Sequence, residues 1–350
     1  FGIAASALFF LCIQFVANAG WSMVVSRVME AIASFLPVGS VLVAIIVLGS
    51  YFHMNHLFHW MDADLINPDS EKYDIFMANK AQLWLSPNFW LVRCVIYLVV
   101  LSLMLPVIKN ATRKLDETNG DLKVYAQLYK KSVIYLVIFA ICSAAFAWDF
   151  VMSIDTHWFS TMFGWYTLAS WHVAGLAVIT LTVVMLRERG YLRAVNNSHL
   201  RDLGKFVFAF SIFWTYVWFA QFMLIYYSNI PEETVYFYKR WEPEYKPWFW
   251  INIIINFVAP LLLLVDRDAK RKQNMMLFIS IVLLLGHWLD YYIMVMPGTV
   301  DSHRGFGFIE IGTAIGFVGI FTFLVLSKLS KHALAPKNHP FLDESLHHQI

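Results

Sequence analysis

Nine stretches of this 350-residue chain are apolar and long enough to cross a bilayer: residues 3–20, 35–57, 88–108, 131–152, 162–186, 205–228, 248–265, 275–296 and 308–327. A spanning helix needs about 20 mostly apolar residues to match a hydrocarbon core about 30 Å thick. Backbone groups inside that core must be satisfied within the chain, so only helices or a closed barrel can cross it. These runs are continuously apolar and do not alternate over about ten residues, which excludes barrel strands. Charged residues make up 14% of the chain, against about 25% in soluble domains. The prediction is an all-α, polytopic membrane bundle.

Charge between the stretches sets an orientation. Lys and Arg number six in the loop 109–131, five in 187–205, four in 266–274 and three after residue 327, against two, none, three and one in the intervening loops. That alternation puts the first set, and the C-terminus, in the cytoplasm. The other loops are long and acidic, with Asp62, Asp64, Asp69, Glu71 and Asp74 in one and Glu232, Glu233, Glu242 and Glu244 in another. They leave room for a docked partner protein. No polybasic run points to nucleic acid. The chain begins with Phe1, and the expectation is that a further segment precedes it, with one more span returning the N-terminus to the cytoplasm.

Cys12, Cys94 and Cys142 all lie in apolar stretches and form neither CxxC nor CxxCH. They read as buried thiols and give no support to an iron–sulfur cluster or an attached haem.

Ionisable groups at membrane depth are costly, so each is a functional candidate. His53, His56 and His59 follow one another at intervals of three, which would put His53 and His56 on one helix face. Interfacial packing, proton handling or a metal pair lacking a third ligand would each account for them. Asp149 closes the fourth span, and Asp155 and His157 follow in the connection, where helix capping and solvation are the alternatives. His287 and Asp290 lie one turn apart in the eighth span. Desolvation penalises an isolated carboxylate's charge there, and a neighbouring histidine lets the two share one proton as a coupled pair. Glu310 opens the ninth span, where Gly312, Gly316 and Gly319 would admit a neighbouring helix. Arg93 either snorkels to the surface or pairs with one of the acids. His172 stands alone in the fifth span, and Asn252 and Asn256 lie one turn apart in the seventh. His53, Arg93, Asp149, His172, Asn252, Asn256, His287, Asp290 and Glu310 fall at mid-depth or in the outer half, whereas the inner half offers mainly hydroxyls such as Ser132, Tyr135 and Thr180. An ionisable cluster opening outward is expected, without an acidic path to the cytoplasm.

The run AWDFVMSIDTHWFSTMFGWY, with GHWLDYYIMVMPG and IEIGTAIGFVG, resembles the ActF subunits of bacterial alternative complex III, membrane proteins of the NrfD/PsrC-like family. The likeness extends through Leu326. It implies ten helices in two four-helix bundles flanked by outer helices, here 1–160 and 161–330, with a tail 331–350. It also implies a non-catalytic subunit of a quinol:cytochrome c or quinol:oxidase oxidoreductase in the bacterial inner membrane. Such a subunit holds no redox centre or metal and is thought to conduct or translocate protons. Haems would sit in periplasmic multihaem cytochromes, clusters in an iron–sulfur subunit, and the main quinol site in a sister NrfD-like subunit, with a terminal oxidase as a further partner. The motif positions are Asp149, Asp155, His157, His287, Asp290 and Glu310; His53, His56, His172 and Arg93 join them from the reading of the residues. Three alternatives remain. One is an anchor that itself binds quinol, and another is a diheme cytochrome on His53, His172 and His287. The third, a secondary transporter, calls for helices broken at mid-membrane, whereas Gly and Pro here lie mainly near span ends.

Overall fold

A computed structural model describes residues 1–300 and 307–349. The chain folds as an all-α polytopic bundle, and among the described residues eight helices are long and apolar enough to cross a membrane. The first apolar stretch, 3–20, instead forms α1 (Gly2–Val16), whose 15 residues reach only about 22 Å at 1.5 Å per residue. It needs no lipid contact, because Ala4, Leu8, Leu11, Cys12 and Phe15 are all buried and it packs on α2 (Ser26–Ala33), α6 (Leu122–Phe146) and α7 (Met162–Glu188). Gly175 allows this approach: a Cβ there would sit 2.6 Å from Ser6 Oγ.

With the preceding 3-10 turn and α3 (Leu36–Tyr51), α2 forms one bent span over Gly20–Tyr51. The surface helix α4 (Ile75–Gln82) leads to α5 (Pro87–Glu117), which pairs with α6. At the centre lies α7, with 78% of its apolar window buried, flanked by α1, α8 (Asn197–Ser228) and α12 (Gln273–Thr299). Between α8 and α12 come α9 (Pro231–Arg240), α10 (Lys246–Ile253) and α11 (Ala259–Leu264). The last span, α13 (Phe308–Leu329), has only 6% of its window buried, and the short α14 (Leu342–Leu346) ends the described chain.

The basic segments share one end of the bundle. The tail is tied to the 109–121 region through Asn338, which donates to the Asp116 carbonyl at 2.8 Å and to Asn119 at 3.0 Å. Its Ser345 donates to the Trp21 carbonyl, and His348 lies 2.6 Å from Asp202. Lys270, from the next basic loop, lies over the Phe208 ring. At the opposite end, Asp155 meets Lys239 and Arg240, and Asp74 meets His157.

Two local expectations need correction. The helix carrying the three histidines stops at Tyr51, so His53 and His56 share no helix face. His53 has φ of 54° and ends α3 as a left-handed cap, with its N–H on the Ser50 carbonyl and the Met54 N–H on the Gly49 carbonyl. Asn55 accepts from Ser50 Oγ and from the Leu57 N–H, which turns the chain away. His53, His56 and His59 are all exposed. The second correction concerns α13. A Cβ on Gly312, Gly316 or Gly319 would meet open space, so among the described residues no helix of this chain packs against these glycines. Instead α13 attaches through the opposite side, where Phe321 packs edge-on to Phe35 with ring centroids 5.0 Å apart.

Candidate functional site

Among the described residues two carboxylates are wholly enclosed in the bundle, Asp149 and Asp290, each at 0% exposure. They are held in different ways.

Asp149 sits in a π turn, Ala147–Val151, that closes the α6 span. A π turn releases carbonyls from the regular helical ladder, and such turns collect at functional positions. Here the Asp149 carbonyl accepts from Ser153 Oγ at 2.6 Å and Trp90 Nε1 at 3.1 Å. The carboxylate takes a two-pronged bond from Arg93, with Nε to Oδ2 at 3.0 Å and Nη2 to Oδ1 at 2.8 Å. Tyr97 Oη and Trp84 Nε1 complete the set at 3.0 and 2.8 Å. The Arg93 guanidinium also lies between the Trp84 and Phe89 rings, 4.1 and 4.4 Å from their centroids. Of the two alternatives for Arg93, pairing with an acid is what the fold adopts. The bidentate, stacked geometry suits arginine and would not suit lysine. The Asp149 carboxylate therefore has a full counter-charge and four hydrogen bonds.

Asp290 has a different environment. Its Oδ1 accepts from Tyr166 Oη in a short hydrogen bond and from Asn252 Nδ2 at 3.0 Å, and its Oδ2 accepts from Trp214 Nε1 at 2.9 Å. These donors come from α7, α10 and α8 and are all neutral. The nearest basic group is His287, with Nδ1 3.8 Å from Oδ2. That ring nitrogen is instead hydrogen-bonded to Ser170 Oγ at 3.0 Å. The pair does share a face of α12, as its spacing implies, but no direct hydrogen bond joins it.

A second π turn, Ile254–Val258, supports this site. Its Asn256 donates to Asn252 Oδ1 at 2.6 Å, which aims the Asn252 amide at Asp290. Gly286 lets α12 lie against this turn: a Cβ there would fall 2.3 Å from Asn256 Oδ1.

The remaining candidates lie apart from these two centres. Asp155 caps no helix; it accepts from Arg240 Nη2 at 3.1 Å and lies 3.5 Å from Lys239 Nζ. Arg240 is itself 1% exposed and also donates to the Met294 carbonyl, so this group ties α9 to α12. His157 is exposed and pairs with Asp74 at 3.1 Å. His172 is buried among Phe9, Phe10 and Phe210 and meets Ser6 Oγ at 2.8 Å. Glu310 accepts the Gly307 N–H at 2.9 Å, closing the first turn of its own helix.

The other end of the bundle is not confined to hydroxyls. Glu30, 5% exposed, accepts from Arg27 Nη1 at 2.7 Å and Thr112 Oγ1 at 2.7 Å, and Arg27 continues to Asp116. Sequence reasoning missed Glu30 by placing 21–34 in a loop. The signal was present in Arg27 and Glu30, three apart among Val28, Met29 and Ile32. It also missed the neutral donors Tyr166, Trp214, Tyr97 and Trp84, since nothing in their own segments distinguishes them from interfacial aromatics.

Among the described residues, no cluster of three or more His, Cys, Asp and Glu side chains has metal-binding geometry. No model of a known protein family matches the chain, and a search of curated proteins finds no significant match.

Proposed function

We propose that this chain is a membrane subunit of a respiratory quinol-oxidising complex of the alternative complex III type, carrying no redox centre itself and passing protons through its interior as quinol is oxidised. The observation that supports the reading is the enclosure of Asp290 by three neutral donors. Asp149 has a guanidinium beside it, whereas Asp290 has no cationic side chain bonded to it and on this reading is the carboxylate that takes up and releases the proton. His287, 3.8 Å away, is the adjacent group able to pass that proton on. Asp149 with Arg93 then serves as the fixed charge of the first half of the bundle. The acidic loops at the opposite end from the tail would receive the periplasmic cytochromes, which with an iron–sulfur subunit supply the electron-carrying groups. On the positive-inside pattern the basic end, with the C-terminus, is cytoplasmic in the bacterial inner membrane.

Two measurements test this. A tagged chain purified from its native membranes is expected to bring down multihaem cytochromes and an iron–sulfur subunit, together with quinol:cytochrome c activity. Recovery of the chain alone, or with a stoichiometric haem of its own, would refute the assignment. Cysteine labels at Asn119, Asn197 or Gln273 are expected to react only from the cytoplasm, and labels at Asp69 or Glu233 only from outside. The reverse pattern would invert the orientation and with it the docking face.

A further inference from the structure

Where the C-terminal ends of α5 and α13 meet α2 and the tail, a cavity of about 180 Å³ is lined by Arg27, Lys109, Arg113, Lys328 and Lys337. Among the described residues the carboxylates lining it are Glu30 and Asp116. Both are already engaged. Arg27 bridges them, Thr112 fills the other oxygen of Glu30, and the backbone N–H groups of Lys337 and Asn338 fill the other oxygen of Asp116. Lys109 Nζ donates to Ser34 Oγ at 3.1 Å, and Arg113 meets His332 at 3.4 Å, neither of which is an anion. No ion pair involves Lys109, Arg113, Lys328 or Lys337 among the described residues. Burial, and after it the push of Arg113, Lys109, Lys328 and Arg27, holds the His332 imidazole below its ordinary pKa, in keeping with unmatched positive charge.

We infer that this cavity is a binding site for the phosphate of an anionic phospholipid headgroup, held by Lys109, Arg113, Lys328 and Lys337. Five cations lining one cavity with two carboxylates leave it net positive, and a phosphate offsets that charge while accepting several charge-assisted hydrogen bonds. The depth argues for a lipid over a free phosphate. Lys109 and Arg113 lie in the C-terminal part of α5, Lys328 in the last turn of α13 and Lys337 in the tail just beyond it, at the end of the spans where headgroups lie. Basic pockets between membrane helices at this level bind anionic headgroups. Towards the membrane interior, the same helices leave Leu103 and Val107 of α5 and Ile320 and Phe323 of α13 exposed, an apolar surface for acyl chains. One wall of the cavity is the tail, which Asp116 and Asn119 hold in place. A bound headgroup would therefore also fasten the tail. This inference does not rest on the proposed respiratory role.

The test uses the full chain, delipidated in detergent and titrated with phosphatidylglycerol or phosphatidylcholine, with bound lipid counted by native mass spectrometry. Phosphatidylglycerol is expected to be retained preferentially. Arg113→Gln with Lys328→Gln should weaken its binding about thirtyfold, the loss expected for two basic groups at a membrane surface, with phosphatidylcholine unaffected. Lys123→Gln with Lys130→Gln removes two charges from the same end outside the cavity and should preserve the preference. So should the charge-conserving pair Arg113→Lys with Lys328→Arg, which separates loss of charge from loss of fold. An unchanged preference in the cavity variant, its loss in the outside pair, or inorganic phosphate binding as tightly as the lipid would each overturn the site.

Discussion

Asp149→Asn is expected to destabilise the bundle by about 3–5 kcal/mol, the usual cost of leaving one member of a buried ion pair without the other. Arg93 would keep its charge, because a guanidinium does not release its proton in a protein. Trp84 and Phe89 lie against its guanidinium. The amide can accept from Tyr97 or Trp84 but supplies no negative charge. Arg93→Gln should be similarly harmful, since Asp149 would then be an enclosed anion with only neutral donors. The double variant Arg93→Gln with Asp149→Asn should recover much of the loss, because no net charge stays buried. Thermal unfolding of the three proteins in one detergent measures this. Singles within about 1 kcal/mol of wild type, the range of exposed pairs, would show that the pair is solvated in the membrane.

Asp290→Asn should leave a folded, assembled protein and abolish proton exchange at this centre. The amide oxygen can still accept from Tyr166 and Asn252, while its NH₂ faces the Trp214 N–H, so one hydrogen bond is lost at a cost of about 1–3 kcal/mol. That is smaller than the expected loss at Asp149, because no buried cation is stranded. The functional loss should be the larger one. A positioned proton-transfer group is typically worth about 10²-fold or more in rate, so quinol-linked turnover or proton release is expected to fall by about that factor. The measurement is turnover, proton stoichiometry and pH dependence in an intact variant complex. Wild-type values for all three would reduce Asp290 to a structural link between α7, α8, α10 and α12.

The outline of this protein was legible because the bilayer acts on sequence directly. Continuous apolar runs and the alternation of Lys and Arg need no knowledge of contacts, so the helical bundle and the grouping of its basic segments follow from them. Gly312, Gly316 and Gly319 misled for the opposite reason. Their spacing says that a helix could approach, but whether one does is settled elsewhere in the chain, and here it packs on the far side of α13. His53 and His56 misled because a left-handed residue at the helix end is normally glycine, and the side-chain bonds of Asn55 that turn the chain are invisible in hydropathy.

The sequence by itself determined that Asp149 and Asp290 are buried, because an acid well inside an apolar span has nowhere else to go, whereas the buried Glu30 escaped it. Asp149, Asp290 and the one-turn spacing of His287 and Asp290 are of this kind. Only the tertiary structure decided what surrounds each carboxylate. Arg93 is 56 residues from Asp149 in the chain, and Tyr166, Trp214 and Asn252 are 124, 76 and 38 residues from Asp290. Charge compensation acts over a few ångströms in space, so two acids that read alike in sequence become a fixed ion pair in one case and a carboxylate with neutral donors in the other.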